Sequence, residues 1–382
     1  MVELVVLKKR LGPVLGRHPW VFSGALQKIP EGLQNGEPIR LVSENGRFLA
    51  LGYFNSYSQM AVRLWGFEEN EEVDQNFFTK RVKKAWAIRE KYLDQKKNNA
   101  FRVINSENDF LPGLVADKYA NYLSIQFHNP GIRRWQPEII KALQETFQPK
   151  GILIREENKV SAIIGEIPEK VEISENGYKF LVNLKEGQKT GFFLDQRDKR
   201  EAIKKYVFGK KVLNCFSYTG GFSVYALAAG ASQVINVDSS KEAMALAEEN
   251  IKINNLPLEK SEFICEDVKK YFSQDIKNKF DVIILDPPAF IKDRRKIREG
   301  IVGYKKINEL AMAALPENGI LITCSCSQHL PMRDFRFLLS EAAGKAGRNA
   351  QILESYTHGI DHPQITSFSE AEYLKCLIIL IS

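Results

Sequence analysis

Two short runs place reactive side chains where a strand should end. Thr323-Cys324-Ser325-Cys326-Ser327 follows an apolar segment. A thiol at a strand end is a nucleophile when its ionisation is pulled below the ordinary value of about 8.5; otherwise a cysteine is a small buried apolar residue. Alternation turns Cys324 and Cys326 to one side while the strand stays regular, so pattern alone does not choose between them; Cys326, nearer the end, is the better candidate. Cys-x-Cys is too tight for the usual Cys-x-x-Cys zinc pair, and no matching Cys/His pair follows. The second run is Asp286-Pro287-Pro288-Ala289-Phe290. Both prolines fix φ and lack a donor. Asp286 is therefore held in a stiff turn, as a carboxylate suited to the amidine edge of a base.

Three further strand ends read as one pocket. Lys211–Cys215 runs into Phe216-Ser217-Tyr218-Thr219-Gly220-Gly221 and then a helix. Adjacent glycines let backbone approach a ligand at a helix start, but Gly-x-Gly-x-x-Gly is absent. The next strand ends at Asp238, where a carboxylate can accept both hydroxyls of a ribose. The third ends at Cys265-Glu266-Asp267, where Asp267 can receive an adenine amino group. A nucleoside without a pyrophosphate fits this set, and S-adenosylmethionine is the expected cofactor.

The elements that must position these groups form an alternating strand–helix rhythm from about residue 211 onward, the pattern of a doubly wound α/β sheet with parallel character. In such sheets ligands bind at the carboxyl ends of the strands. Before it, residues 1–65 are short strands punctuated by glycines, with eight Lys/Arg against four Glu, and read as a small basic β module. Arg17 and Trp20 sit beside a turn there, either as an RNA contact or as a β-module corner. Glu68 to Asp74 reads as a linker and Asp74 to Lys97 as a helix. Residues 101–184 read as strand, strand, helix, strand and a hairpin around Glu175-Asn176-Gly177. The expected domains are 1–70, 71–184 and 185–382.

With 382 residues, 44% hydrophobic and 26% charged, the chain has the composition of a globular protein rather than a disordered or fibrous one. No apolar run approaches the ~20 residues of a membrane helix, and Met1 to Arg10 does not read as a secretion signal. The net charge of +7 permits a polyanionic partner. Five cysteines, an odd number, read as reduced thiols in a cytoplasmic protein.

Taken together, the motifs resemble the bacterial large-subunit (23S) ribosomal RNA cytosine-5 methyltransferases that carry an N-terminal PUA domain. The resemblance covers essentially the whole chain. It rests on Gly16–Phe22, Lys185-Glu186-Gly187-Gln188-Lys189-Thr190-Gly191-Phe192-Phe193-Leu194-Asp195-Gln196-Arg197, Asn214–Phe222, Asp286-Pro287-Pro288, Ser325-Cys326-Ser327 and Asp361-His362-Pro363. It implies a class I Rossmann-like methyltransferase sheet preceded by a PUA-like module and a small α+β domain. It also implies that Cys326 is the nucleophile and that the segment bearing Phe193 and Asp195 closes over the cofactor. Cys324 departs from relatives that carry an aromatic residue there. The partner expected is 23S RNA or the assembling large subunit, without a membrane; a homodimer is permitted.

Cytosine C5 is a poor nucleophile, and a thiolate adding at C6 makes it enamine-like. Asp286 would hydrogen-bond the N3 or N4 side. For the base that removes the C5 proton, Asp286, Cys324 and water remain open. The target base must be unpaired or flipped. Lys292, Arg294 and Arg295, just after the Asp-Pro-Pro turn, would grip phosphates. The competing readings are an exocyclic-amine methyltransferase, which needs no cysteine, and a non-catalytic RNA-binding assembly factor.

Overall fold

The structure, a computed structural model, describes residues 1–156, 159–187 and 191–382. The chain forms two compact units. The first comprises Met1–Ile173, Val182–Leu194 and Ile360–Ser369; the second comprises Ser174–Leu181, Asp195–Gly359 and Glu370–Ser382.

In the first unit, β1 (Val2–Val6), β2 (Trp20–Phe22), β3 (Pro38–Ser43), β4 (Phe48–Phe54) and β5 (Met60–Gly66) make a sheet of order β1-β3-β4-β5-β2. The β2 strand was not anticipated, because three residues beside a turn are too few to show a period. Asp74 then caps the helix Gln75–Tyr92, its carboxylate accepting the Phe77 N–H at 2.8 Å. A second sheet follows from β6 (Ala100–Asn105), β7 (Leu114–Tyr119), β8 (Tyr122–Phe127), β9 (Gly151–Glu156) and β10 (Lys159–Gly165), in the order β10-β9-β8-β7-β6. Between the two strands expected at the start of this region, β6 and β8, lies β7, which pairs with both and was not anticipated. Its sequence, LVADKY, hides the strand because it buries the polar Asp117 against Arg102. The motif Asp361-His362-Pro363 belongs to this unit as a tie, since Asp361 accepts the Arg102 N–H at 3.1 Å and Pro363 accepts from Asn105 at 3.0 Å.

The tight-turn hairpin joins β11 (Val171–Glu175) to β12 (Tyr178–Val182). In the second unit, β13 (Lys211–Cys215), β14 (Gln233–Asp238), β15 (Ser261–Cys265), β16 (Val282–Leu285), β17 (Gly319–Ser325), β18 (Ala350–Tyr356) and β19 (Lys375–Ile381) form the main sheet. Its order is β15-β14-β13-β16-β17-β19-β18. The five strands from β13 to β17 are parallel, and β19 runs antiparallel to both neighbours. The all-buried Val282–Leu285 and the apolar β19 are what strands covered on both faces require. The edge strand β18 was not anticipated, because most of its residues are exposed or half-buried. No helix is long and apolar enough to cross a membrane among the described residues.

Candidate active site

Register gathers the expected residues at one sheet edge. Cys215 pairs with Val237 and with Leu285, and Leu285 pairs with Thr323. The next residues are Phe216, Asp238 and Asp286, which stand side by side at the strand ends, and Cys324, from which β17 continues one residue further to Ser325. The order reverses between β13 and β16, which is the switch point where ligands bind.

The turn after β13 is unusual in its backbone. Phe216, Tyr218 and Gly220 have φ of 56°, 47° and 73°, a left-handed region that side-chain-bearing residues occupy only when their surroundings impose it. Asp238 imposes it here: its Oδ2 accepts the Tyr218 N–H at 2.9 Å and its Oδ1 the Ser240 N–H at 2.9 Å. Gly220 is needed twice, for its φ and because a Cβ there would lie 2.9 Å from that of Ala247. Ser217 is buried, its hydroxyl 3.9 Å from the Met244 sulfur. The Thr219 hydroxyl is buried without a hydrogen-bond partner.

This edge fits the nucleoside cofactor. Each Asp238 oxygen keeps a lone pair for a ribose diol. Asp267 is exposed and uses Oδ1 to cap the turn Val268–Tyr271, accepting from Lys269 at 2.9 Å and Lys270 at 3.1 Å. Its Oδ2 remains for an exocyclic amine.

Asp286 is clamped from the chain segment that opens the second unit. Gln196, 2% exposed, donates Nε2 to Asp286 Oδ1 at 2.8 Å. Its neighbour Asp195 is buried and accepts the Tyr373 hydroxyl at 2.7 Å.

The two cysteines part company. Cys324 lies within β17 opposite Cys376, fully buried, and that contact together with burial pushes its thiol well up. The strand ends at Ser325, so alternation no longer governs Cys326. Cys326 is half-buried, its sulfur 3.9 Å from the Pro287 carbonyl in the Asp-Pro-Pro turn. Ser327 is held by the Tyr304 hydroxyl at 2.9 Å and accepts the Ile291 N–H at 3.2 Å. Burial pushes Tyr304 up to about 12. Phe290 packs 4.7 Å from the Tyr304 ring, and a Cβ at Gly303 would come within 3.2 Å of it. Its ring is thus engaged with the helix Ile297–Ala314.

The remaining candidates are distributed more widely. Lys292, Arg294 and Arg295 are exposed beyond the turn. Arg295 binds Asp293 at 3.3 Å, and this hydrogen bond holds the Asp293 carboxyl below its usual range. Phe193, Arg17 and Trp20 belong to the first unit. Trp20 donates its indole N–H to Glu107 at 2.9 Å and packs 4.6 Å from Phe368, so half of it serves the fold. Arg17 is exposed, its guanidinium 5.0 Å over Phe67. Gln188, Lys189 and Thr190 of the long motif lie outside the described residues. Sequence reading passed over Gln196, Tyr304 and Lys375. Gln196 sat inside a quoted motif without a role; Lys375 had as its only signal a charge opening an apolar strand.

Comparison with known proteins agrees with this geometry. Residues 143–379 match a family described as S-adenosylmethionine-dependent methyltransferase, and residues 4–67 match a PUA-like domain. The chain is 40% identical to ribosomal RNA large subunit methyltransferase I of Escherichia coli strain SMS-3-5 over 98% of both chains. It is 41% identical, with the same coverage, to the protein of that name from E. coli O1:K1. Among solved structures, the SAH complex of a candidate methyltransferase superposes with a TM-score of 0.88 at 25% identity over the whole of both chains. A candidate S-adenosylmethionine-dependent methyltransferase from Streptococcus mutans gives 0.86 at 25%, again over both whole chains.

Proposed function

From the premise that the chain belongs to the large-subunit ribosomal RNA methyltransferase I family, with a PUA-like domain and an S-adenosylmethionine-dependent methyltransferase domain, we propose that it methylates C5 of a cytosine in 23S ribosomal RNA. The observation that carries this reading is the contrast between the two thiols. Cys326 stands half-open, its sulfur 3.9 Å from the Pro287 carbonyl of the Asp-Pro-Pro turn, while Cys324 is sealed in the sheet.

When bound, the cofactor supplies an electrophilic methyl group. Asp238 and the Phe216–Gly220 turn would hold its ribose end, and Asp267 its base. Phe193 and Asp195 are proposed to border the same molecule. Asp286, oriented by Gln196, is placed to hydrogen-bond the N3–N4 edge of a flipped cytosine. In that role a proton donated from the Asp286 carboxyl to N3 would neutralise the charge that enters the ring as the Cys326 thiolate adds to C6. The new S–C6 bond makes C5 a nucleophile. After methylation a base (Asp286, Cys324 or a water) takes the C5 proton, the C5–H electron pair restores the ring double bond, and Cys326 leaves C6 as the thiolate. Arg17, Trp20, Lys292, Arg294 and Arg295 are proposed to contact the RNA, their charges releasing counterions from phosphates.

Trapping is the direct test. Fluorine at C5 cannot leave as a proton, so RNA carrying 5-fluorocytosine should form a stable adduct that peptide mapping locates at Cys326. An adduct at Cys324 would exchange the roles of the two thiols. Full methylation by Cys326→Ala would end the C5 reading in favour of an exocyclic amine.

A further inference from the structure

A buried ammonium lies against the Ser-Cys-Ser turn. Lys375, 0% exposed, opens β19 directly opposite Ser325. Its Nζ donates to the Ser327 carbonyl at 2.7 Å and to the Tyr373 carbonyl at 2.8 Å. Among the described residues it forms no ion pair with a carboxylate. A buried cation whose hydrogen bonds go to neutral carbonyls is costly, and the exposed Glu372 offsets that burial only in part. Such an arrangement is expected where the missing anion forms during function.

The surroundings leave few choices for that anion. On its own segment Lys375 has Glu372, which is exposed, and Tyr373, whose hydroxyl is given to Asp195. From β17 comes Cys324, from the turn after it Cys326, and from within β19 Cys376, which lies against Cys324. The turn after β16 brings Asp286, already bonded to Gln196, and the helix Ile297–Ala314 brings Tyr304, bonded to Ser327. The segment before β13 brings Lys199, whose Nζ rests on the Asp195 carbonyl. His358 accepts the Leu374 N–H at 3.3 Å and packs on Tyr373. Of the thiols, only Cys326 neighbours the carbonyl that Lys375 grips, and only Cys326 is partly open.

We infer that Lys375 is a positioning residue that fixes the Ser325-Cys326-Ser327 turn and presents its ammonium to Cys326, raising the thiolate fraction available for attack. The inference rests on the reading of Cys326 as the nucleophile. On ionisation the Cys326 S–H bond breaks and its proton passes to water, while Lys375 keeps its own proton. Burial draws Lys375 down to about 8, with the Cys326 charge opposing that shift. The group therefore remains mostly the ammonium at neutral pH. The effect is local: Cys265 is exposed at the end of β15, the edge strand across the sheet from β19.

The test is the pH profile of alkylation, read thiol by thiol by peptide mapping of the intact protein treated with iodoacetamide. Cys265 is the internal reference. In Lys375→Met the Cys326 rate at neutral pH should fall about tenfold, with its profile displaced to higher pH by about one unit. Lys375→Arg, which keeps the charge, should restore most of the rate, and Cys265 should not change in either variant. Superposable Cys326 profiles in wild type and folded Lys375→Met would overturn the inference. A wild-type Cys326 profile no lower than that of Cys265 would overturn it as well, whether or not the Met variant folds. The outcome is separable from the reaction class. A displaced profile without a 5-fluorocytosine adduct supports the lysine and removes the C5 reading. An adduct with an undisplaced profile does the reverse.

Discussion

The two units bury cations in different company. In the first, Arg89 is fully buried and meets Asp109 through two bonds of 2.6 and 2.7 Å, while Arg102 meets the buried Asp117 at 2.8 and 3.0 Å. The second unit contains such a pair in Arg200 with Glu175, well before the sheet edge in sequence. Beside the strand ends, however, Lys199 and Lys375 are buried on backbone carbonyls alone. A carboxylate partner makes a buried cation a structural rivet whose removal strands the other charge. A cation without one leaves its field for something that arrives or ionises. The Asp109 and Asp117 pairs hold the fold of the first unit, whereas at the sheet edge of the second Lys375 is proposed to have a chemical use.

The sharpest break in that contrast is at the thiols. Cys326→Ala should cut methylation at least about a thousandfold, the scale of removing a nucleophile, with cofactor binding near normal. Cys324→Ala should keep most activity, and equal losses in isotopically labelled methyl transfer would erase the distinction between sealed and open thiol.

Removing the Asp286 carboxylate should come next. Asp286→Ala should lower kcat by about a hundredfold, the usual worth of a preorganised polar group, and Gln196→Leu should follow in the same direction with a smaller loss. Steady-state kinetics showing a KM effect alone would assign Asp286 to RNA binding.

Lys375 also makes a stability prediction. Its folded value of about 8 lies below that of an unfolded lysine near 10.4. Between those values the unfolded chain binds the extra proton, so unfolding free energy rises with pH there. The penalty is fully present below about pH 8, and its relief amounts to roughly 3 kcal/mol at most. Urea titrations of Lys375→Met should lack this rise; an identical rise in the variant would place its origin elsewhere.

Asp238→Ala should weaken cofactor binding by about 1–3 kcal/mol, because it loses a ribose acceptor and frees the strained Tyr218 turn. Calorimetry showing wild-type affinity would remove it from the site. The smallest effect belongs to the first unit's exposed charge. Arg17→Ala should weaken RNA binding evenly across sequences and reduce the salt slope by about one, without altering kcat. An unchanged salt slope in filter binding would take Arg17 off the phosphates.

The strand ends were legible because chemistry and period coincided there. Asp238 and Asp286 directly end apolar runs, Gly220 and Cys326 follow such runs within a few residues, and a parallel sheet puts such termini on one edge whatever the details of packing. The helix Gln136–Phe147 was legible to the residue from its apolar stripe. Strands β2, β7, β10 and β18 were not, since a short strand, one with a buried ion pair or one left largely open shows no clean alternation. The choice between Cys324 and Cys326 illustrates the limit. Sequence alone determined that a thiol would stand at the end of β17, because that follows from local order. Which of the two is left partly open depended on where the strand stops and on Cys376 arriving antiparallel from the far end of the chain. The role of Gln196 toward Asp286 and of Lys375 toward Ser327 had to come from the tertiary structure for the same reason: hydrogen bonds between residues 90 and 48 positions apart leave no periodic trace in the chain.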